Sequence, residues 1–353
     1  MSCTQSSRIA DELRGELDAG RWKAGLPLPS VGELRSRFGA GEYAVRAALK
    51  RLRDEGLLVV KQGIGALATG KGAWRWRGRV AFVTVGVSGS YYSQMLARQM
   101  SSRLADAGWD FAFISIDSNR DKPLDLSAVK RHVSAGVDFA VCCCAETEIV
   151  DAFVRAGIPC VVVSGSERNI PQADAVVCVD RRRCFDDLVR VLKERGAKRL
   201  LEVDYERKRD RGFKAQLTGA GIAVRRLFGA WEKPGRWRVG DIREAGRRMV
   251  ADYFADARNR ASPPDVVMFD DDYYAAGGIQ AILEAGFRIP DDIRVVAWSN
   301  TGDELAFGFS LARLENDPFE QGGELAEYVL KRLAGRKARP PRLYTRFIPG
   351  ASL

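Results

Sequence analysis

From residue 80 onward, short apolar runs alternate with amphipathic segments, and this alternation allows only a few folds. Short apolar strands between amphipathic helices are typical of parallel sheets with helices on both faces. About 270 residues are enough for two such lobes, with a ligand in the crevice at the carboxyl ends of the strands. The predicted strands are Val80–Val85, Phe111–Ile116, Val137–Cys144, Cys160–Val163, Val176–Val179, Arg199–Val203, Val266–Phe269 and Ile293–Trp298.

The first seventy residues follow another pattern. Apolar residues at helical spacing predict a first helix over Ser6–Gly20, and Ser30 with Glu33 forms a capping box that begins a second. A third helix follows Gly41, and two short apolar runs separated by a glycine turn predict a hairpin. Three helices and a hairpin predict a winged helix-turn-helix, whose third helix enters the major groove of DNA. A small helical domain with a basic face is the alternative.

Positive charge is concentrated in the same region. The formal net charge is +10, and residues 1–79 hold fifteen Lys and Arg against eight Asp and Glu. A small domain with most of the positive charge indicates a polyanionic partner, although a basic surface also aids solubility. In the predicted linker, 71–79, Trp74 and Trp76 alternate with arginines. These tryptophans either stack on nucleic acid or pack against the predicted lobes that follow residue 80, and packing is favoured.

Several classes of protein are not indicated. No apolar run reaches the ~20 residues of a membrane span, and the N-terminus lacks a signal-peptide core, so a cytoplasmic protein is expected. Three consecutive cysteines, Cys142–Cys144, are typical of reduced core residues rather than of a disulfide or zinc site. The lone histidine, His132, has no nearby nucleophile, and phosphate-loop and dinucleotide motifs are absent. We therefore expect no enzyme and no cofactor; paired-carboxylate chemistry stays open.

The segment LPSVGELRSRFGAGEYAVRAALKRLRDEGLLVVKQGIGALA resembles the GntR-type winged helix over about sixty residues. The positions that maintain the fold match, whereas most DNA-contacting positions do not. Where the family has polar contacts, this chain has Gly32, Glu42, Ala44 and Ile64, and only Arg46 agrees. The fold carries over, and the mode of DNA reading does not. The resemblance and the local chemistry give the candidate DNA-binding residues Ser30, Glu42, Tyr43, Arg46, Lys50, Lys61, Gln62 and Gly63.

The remainder resembles the LacI/GalR-type effector domain, which is similar to periplasmic sugar-binding proteins. The resemblance rests on AGVDFAVCC, AGIPCVVV, RDRGF, PPDVVMFDDDYYAAGGIQAILEAGFRIPDDIRVVAWSN and LENDPFEQGGELAEYVL. The combination is that of arabinose repressor-type regulators. It implies a winged helix-turn-helix at 1–70 and a two-lobed, periplasmic-binding-protein-like α/β sensor at 80–353 with two parallel, doubly wound sheets. The expected division is lobe one at 80–181 plus 311–338, and lobe two at 182–310 plus 339–353.

The same resemblance assigns a candidate effector site. Arg209 matches the family arginine that binds hydroxyls or carboxylates, and Trp231 is placed to match an aromatic that stacks on sugars. Each assignment has an alternative: an interlobe salt bridge for Arg209 and surface packing for Trp231. Asp272 is expected to have a structural role at a helix start, and a metal site in Asp270–Asp272 is disfavoured. The full candidate set is Tyr91, Tyr92, Ser164, Arg209, Trp231, Asp271 and Ser299.

The sequence thus predicts a ligand-responsive transcription regulator, of repressor type, that acts as a homodimer. Its expected partners are a double-stranded DNA operator and a small polar effector, a sugar or sugar derivative, without a membrane. Two other hypotheses stand beside it. One is a ligand sensor whose altered head no longer binds DNA specifically. The other, disfavoured by the basic head, is an enzyme or a periplasmic solute receptor.

Overall fold

The computed structural model divides into two compact units, Met1–Arg77 and Gly78–Leu353. We call the first the head and the second the sensor. The structure describes residues 5–61, 63–69, 77–85, 90–116, 123–143, 146–164, 170–204, 211–228, 239–303 and 305–353.

The head contains the predicted three helices and hairpin. The helices and strands are α1 (Gln5–Asp18), α2 (Val31–Phe38), α3 (Glu42–Asp54), β1 (Leu58–Lys61) and β2 (Gly65–Ala68). The two strands pair antiparallel across a turn in which Gly63 and Gly65 have φ of 80° and 104°, conformations that glycine adopts without strain. The helices enclose one apolar core, to which Ile9, Leu34 and Val45 contribute from α1, α2 and α3. The capping box is present at the start of α2.

One buried cation ties α1 to the end of α3. The Arg14 side chain is only 4 % exposed, and its Nε and Nη2 donate to Glu55 Oε2 and Oε1 at 2.9 and 2.7 Å. Asp11 accepts from its third nitrogen. A buried guanidinium is tolerated when carboxylates occupy its donors, as they do here.

The sensor alternates strands and helices along most of its length. Its strands are β3 (Arg79–Val85), β4 (Asp110–Ile116), β5 (Phe139–Cys143), β6 (Cys160–Ser164), β7 (Ala175–Asp180), β8 (Arg199–Asp204), β9 (Ala223–Phe228), β10 (Val266–Phe269), β11 (Arg294–Asn300), β12 (Ala312–Asn316) and β13 (Leu343–Ile348). Its helices are α4 (Tyr91–Asp106), α5 (Ser127–Ser134), α6 (Thr147–Arg155), α7 (Arg182–Glu194), α8 (Arg211–Gly219), α9 (Val239–Ala255), α10 (Ala257–Ala261), α11 (Asp272–Glu284) and α12 (Pro318–Leu333).

The described strands form a mostly parallel sheet in the order β4-β3-β5-β6-β7-β13-β12-β11-β10-β8-β9. Strand β13 joins its two halves, because it pairs parallel with β7 and antiparallel with β12. Separate apolar cores lie on the two faces of each half. This is the expected two-lobed α/β fold.

The lobe division differs from the expectation at one strand. Residues 311–338 were assigned to the first lobe, and α12 does pack against α4 there. Strand β12, however, pairs in parallel with β11, so residues 312–316 lie in the second half of the sheet. Its apolar residues Ala312 and Leu314 are buried in a core of that half.

The described residues bear on two expectations, one about the cysteines and one about membrane-spanning helices. Cys142 and Cys143 are buried in β5 without a disulfide, whereas Cys144 lies outside the described residues. Among the helices that the structure describes, none has the length and apolar character needed to cross a membrane.

Candidate DNA interface and effector cleft

Helix α3 presents an exposed polar face. Glu42 and Tyr43 lie in its first turn, and Tyr43 is 88 % exposed. Arg46 and Lys50 follow at helical spacing and are also exposed. Opposite this face, Val45, Ala48 and Leu52 are buried in the head core. The helix therefore carries its charged residues outward, as major-groove binding requires.

Glu42 is engaged by arginines. Its Oε1 accepts from Arg46 Nε at 2.8 Å, and its Oε2 lies 3.8 Å from Arg35 Nη1. The hydrogen bond from Arg46 is the main cause of a lowered pKa of the Glu42 carboxyl. The carboxylate at the start of the helix is thus compensated by two guanidinium groups.

The other predicted DNA contacts lie around this helix and the hairpin. Ser30 is exposed, but its Oγ accepts from the Glu33 amide at 3.3 Å as part of the capping box. Lys61 ends β1 and is exposed, and Gly63 lies in the turn beyond it, where Ile64 is 60 % exposed. Gln62 lies outside the described residues.

In the sensor, polar side chains gather at the carboxyl ends of the strands. Ser164 ends β6 and is 4 % exposed, Ser299 lies near the end of β11 and is 7 % exposed, and Asp271 follows β10. Ser299 Oγ has no hydrogen-bond partner among the described residues. Two predicted effector residues, Arg209 and Trp231, lie outside the described residues.

Two neighbouring carboxylates lie at the start of α11, where Asp272 was expected, and Asp272 is the acidic residue of its first turn. Asp271, rather than Asp272, is the N-cap of α11, and its Oδ1 accepts from the amides of Tyr273 and Tyr274 at 2.8 and 3.3 Å. Asp272 is 3 % exposed, and its Oδ2 has no partner in the described part of the chain. The physical reason is backbone direction: Asp271 has an extended backbone, from which a carboxylate reaches the free amides of the first turn.

Burial dominates the titration of this pair. Desolvation raises the pKa of Asp271 to about 6, against the lowering effect of its amide hydrogen bonds. Desolvation, followed by the charges of Asp271 and Asp303, raises the pKa of Asp272 to about 8. Both side chains are therefore costly to ionise, and a ligand that donates hydrogen bonds would stabilise their charged forms.

A second carboxylate pair was missed from the sequence. Asp204 ends β8, Asp270 follows the adjacent β10, and the Asp270 amide donates to Val203 O at 3.1 Å. Desolvation and the neighbouring Asp204 raise the pKa of Asp270 well above its usual range. The signal was available in principle, because Asp204 directly follows a predicted apolar strand.

Arginines lie beside this second pair. Arg226 bridges Glu202 and Asp204, the latter at 3.5 Å. Arg181, between β7 and α7, lies 4.6 Å above the Trp298 ring and favours the charged form of Asp270. Its Nε is buried without a partner among the described residues. Arg181 was not singled out in the sequence because its proximity to Asp270 and Trp298 depends on the fold.

The two lobes approach each other at Tyr91. A Cβ placed on Gly302 would lie 2.5 Å from the Tyr91 hydroxyl, so this contact requires glycine, which has φ of 88° there. Burial and then the charge of Asp303 raise the pKa of Tyr91, and Asp303 also accepts a hydrogen bond from Tyr273. Tyr91 therefore lies close to the Asp303 carboxylate of the second lobe.

Tyr92 has a different environment. It packs against a core of the first lobe, and its hydroxyl donates to Gln321 Oε1 at 2.6 Å. Gln321 is 2 % exposed and in turn donates to Tyr344 O at 2.9 Å. Tyr92 thus connects α4 and α12 to strand β13.

A pocket of about 320 Å³ lies elsewhere, between α7, α12 and β13. None of the predicted effector residues that the structure describes lines it. In the same described residues, no cluster of His, Cys, Asp and Glu side chains is arranged to hold a metal ion, including Asp270–Asp272.

Each of the two units contains a region that matches the model of a known family. Residues 5–67 match the model for bacterial regulatory proteins of the gntR family, and residues 189–353 match that for a periplasmic binding protein-like domain. Residues 5–67 are thus similar to gntR-type regulators, and residues 189–353 are similar to periplasmic binding protein-like domains. Neither model describes an enzyme.

Two curated relatives each match part of the chain. The HTH-type transcriptional repressor PurR of Mannheimia succiniciproducens is 25% identical over 133 residues, which are 38% of this chain and 36% of that protein. The histidine utilization repressor of Klebsiella aerogenes is 34% identical over 58 residues, which are 16% of this chain and 24% of that protein. The matches thus span about a third and a quarter of these relatives.

Solved structures resemble the sensor in fold. A LacI family transcriptional regulator from Arthrobacter, in complex with lactose, superposes with a TM-score of 0.61 at 19% identity. The superposition covers 78% of this chain and 99% of that one. It extends the likeness beyond residues 189–353 to most of the sensor.

Proposed function

We propose that this protein is a cytoplasmic, ligand-controlled transcription regulator of repressor type. The head binds operator DNA, and the sensor binds a small polar effector, a sugar or sugar derivative, between its lobes. The observation that carries the proposal is the combination of the two units: a gntR-type head with an outward basic helix precedes a periplasmic-binding-protein-like sensor. We propose a homodimer, because operators with two half-sites match two heads.

The chemistry of the cleft supports a ligand rich in hydrogen-bonding groups. Asp272 Oδ2 is a buried carboxyl oxygen without a partner among the described residues; it can donate a hydrogen bond when protonated and accept one when ionised. Ser299 Oγ, which can also accept or donate, likewise lacks a partner there. Hydroxyl groups of a sugar would satisfy both, and Tyr91 offers a polar group from the opposite lobe. The lactose complex of the Arthrobacter regulator supports the carbohydrate class.

A thermal-shift screen of sugars, sugar acids and nucleosides tests the effector. A cognate ligand at a hundred times its dissociation constant stabilises the folded state by about 2.7 kcal/mol. Asp272→Asn and Ser299→Ala should each weaken that stabilisation, whereas Glu327→Gln on the exposed surface of α12 should not. Stabilisation by nucleosides alone would replace the carbohydrate class, and an equal response of all three variants would remove the cleft assignment.

The hypothesis of a head that no longer binds DNA has one specific observation in its favour. The exposed carboxylate of Glu42 lies in the first turn of α3, where a relative of this type would present a DNA contact. Fluorescence anisotropy with DNA selected by the full-length protein, at two salt concentrations, separates the two hypotheses. Specific binding that falls steeply with salt supports the regulator, and binding equal to that of random DNA supports the alternative.

A further inference from the structure

We infer that Glu42 is a positioning residue: it holds the Arg46 guanidinium so that the head reads a guanine in the major groove. The inference rests on the proposed DNA-binding function and specifies the base that the head recognises. It also gives Glu42, which departs from the GntR-type pattern, a role in specificity.

The bonded atoms decide which edge of Arg46 remains available. The hydrogen bond to Glu42 uses Nε of Arg46, at 2.8 Å. Within the described residues, neither terminal nitrogen of Arg46 has a hydrogen-bond partner. These two nitrogens form the end edge of the guanidinium, whose parallel donors match the O6 and N7 acceptors of guanine.

Charge balance allows Glu42 to lie near DNA. Arg35 Nη1 is 3.8 Å from the second oxygen of the carboxylate, so two cations face one anion. The carboxylate therefore does not present an uncompensated charge to the phosphates. Helix geometry makes the pair favourable as well, because glutamate four residues before a cation is the stabilising orientation.

Restraint of Arg46 before DNA arrives is the source of the selectivity. The side chain is exposed and, without a partner, would explore many rotamers. Fixing the orientation of the Arg46 guanidinium in advance reduces the side-chain entropy that is lost on binding a base. It also disfavours bases that need a different orientation of the guanidinium.

A purely structural role for the Glu42–Arg46 pair is the competing explanation. The head contains a second exposed pair that serves as a control of equal charge. Arg8 and Glu12 form another exposed pair four residues apart, on α1, with 3.9 Å between Nε and Oε1. Glu12→Gln changes the head charge by the same amount as Glu42→Gln. A general electrostatic effect should therefore appear in both variants. Helix stabilisation is compared separately through the melting curves, because Arg8 precedes Glu12, the reverse of the Glu42–Arg46 order.

The experiment uses the full-length protein. Wild-type protein first selects binding sites from a randomised duplex library, and anisotropy then measures affinity for the selected and random duplexes. Each guanine of the selected site is replaced in turn by 7-deazaguanine, which lacks the N7 acceptor. The variants are Glu42→Gln, Glu12→Gln and Arg46→Ala.

We expect wild type and Glu12→Gln to lose affinity when one particular guanine per half-site lacks N7. Arg46→Ala should lose sensitivity to that guanine entirely. Glu42→Gln should bind random DNA about as well as Glu12→Gln does, but its preference for the selected site should fall roughly two- to threefold, the effect of losing the restraint that one exposed ion pair provides.

Each contrary result has a separate meaning. If the library yields no enriched sequence, the proposed DNA-binding function fails and the inference falls with it. If a site is enriched but Glu42→Gln keeps the full preference, only the positioning role is overturned. If no 7-deazaguanine position affects the wild type, Arg46 does not read guanine through N7. Melting curves that match the wild type confirm that the variants are folded.

Discussion

The head and the strand ends of the second lobe differ in how far their polar side chains are paired. In the head, the buried Arg14 and the exposed Glu42 and Arg46 all have partners of opposite charge. At the carboxyl ends of β10 and β11, Asp272 and Ser299 each have a buried oxygen without a partner among the described residues. The charged groups of the head are thus satisfied within the head itself, whereas the ends of β10 and β11 keep desolvated groups that the proposed effector could satisfy.

The largest effect is expected where a buried pair in the head is broken. Arg14→Ala removes the buried guanidinium that donates to Glu55 through two nitrogens. Glu55 is 34 % exposed and keeps Arg51 as a partner, so the expected cost is about 2–3 kcal/mol, below that of a fully buried pair. Hydrogen exchange followed by mass spectrometry, with urea, should show early opening of head peptides and unchanged sensor peptides. A loss below about 1 kcal/mol would show that the pair behaves as an exposed one.

Removing an unpaired carboxylate from the cleft should have the opposite sign. Asp272→Asn should stabilise the apo sensor by about 2 kcal/mol near pH 5, because the raised pKa of about 8 keeps Asp272 protonated in the folded state while the unfolded chain, with its value of 3.8, is already ionised. Urea unfolding of the ligand-free protein measures the change. A destabilised variant would mean that the carboxylate has a structural partner.

The same carboxylates give the sensor a pH dependence of known sign. The folded pKa values of Asp271 and Asp272, about 6 and about 8, lie above the unfolded value of 3.8. The folded state thus binds more protons, and its free energy of unfolding falls as pH rises from about 4 to 8, by up to about 1.4 kcal/mol per group per pH unit. Asp272→Asn should flatten the upper part of this curve; a flat wild-type curve would contradict both shifts.

Arg46→Ala tests the exposed face of the head. Loss of one base-reading fork should lower the affinity for the selected operator by about 1–3 kcal/mol and leave unfolding unchanged, because the side chain is exposed. Lys50→Ala provides the comparison, since loss of a phosphate-binding cation should weaken all duplexes alike and reduce the salt dependence. Equal behaviour of the two variants would assign Arg46 to the phosphates.

The smallest effect is expected for a serine without a partner. Ser299→Ala should leave the stability of the apo sensor unchanged or raise it by up to about 1 kcal/mol, because a buried hydroxyl without a partner makes no hydrogen bond and carries a desolvation cost. Ser352 is the matched control: its Oγ accepts from the Ala312 amide at 2.8 Å and donates to Val295 O at 2.7 Å. Ser352→Ala should cost about 1–3 kcal/mol, and equal costs at both sites would disprove the distinction.

Local signals predicted more of the fold than of the site. The Ser30–Glu33 capping box and the apolar strand runs identify elements because their physics is confined to neighbouring residues. Strand β12 was not recognised, and its lobe was wrong, because its polar ending resembles a loop and its partner β11 is specified only by the fold. The N-cap role of Asp271 likewise depends on a backbone angle that spacing does not encode.

The pairings of β13 also bear on the order in which this protein matures during synthesis. Its partner β7 is made far earlier, yet the two halves of the sheet cannot be joined until residues 343–348 leave the ribosome. Contacts so distant along the chain close slowly, whereas those of the head are mostly local and close fast. A nascent chain therefore carries a folded head well before the sheet of the sensor is complete, and the proposed effector site is the last part of the protein to form.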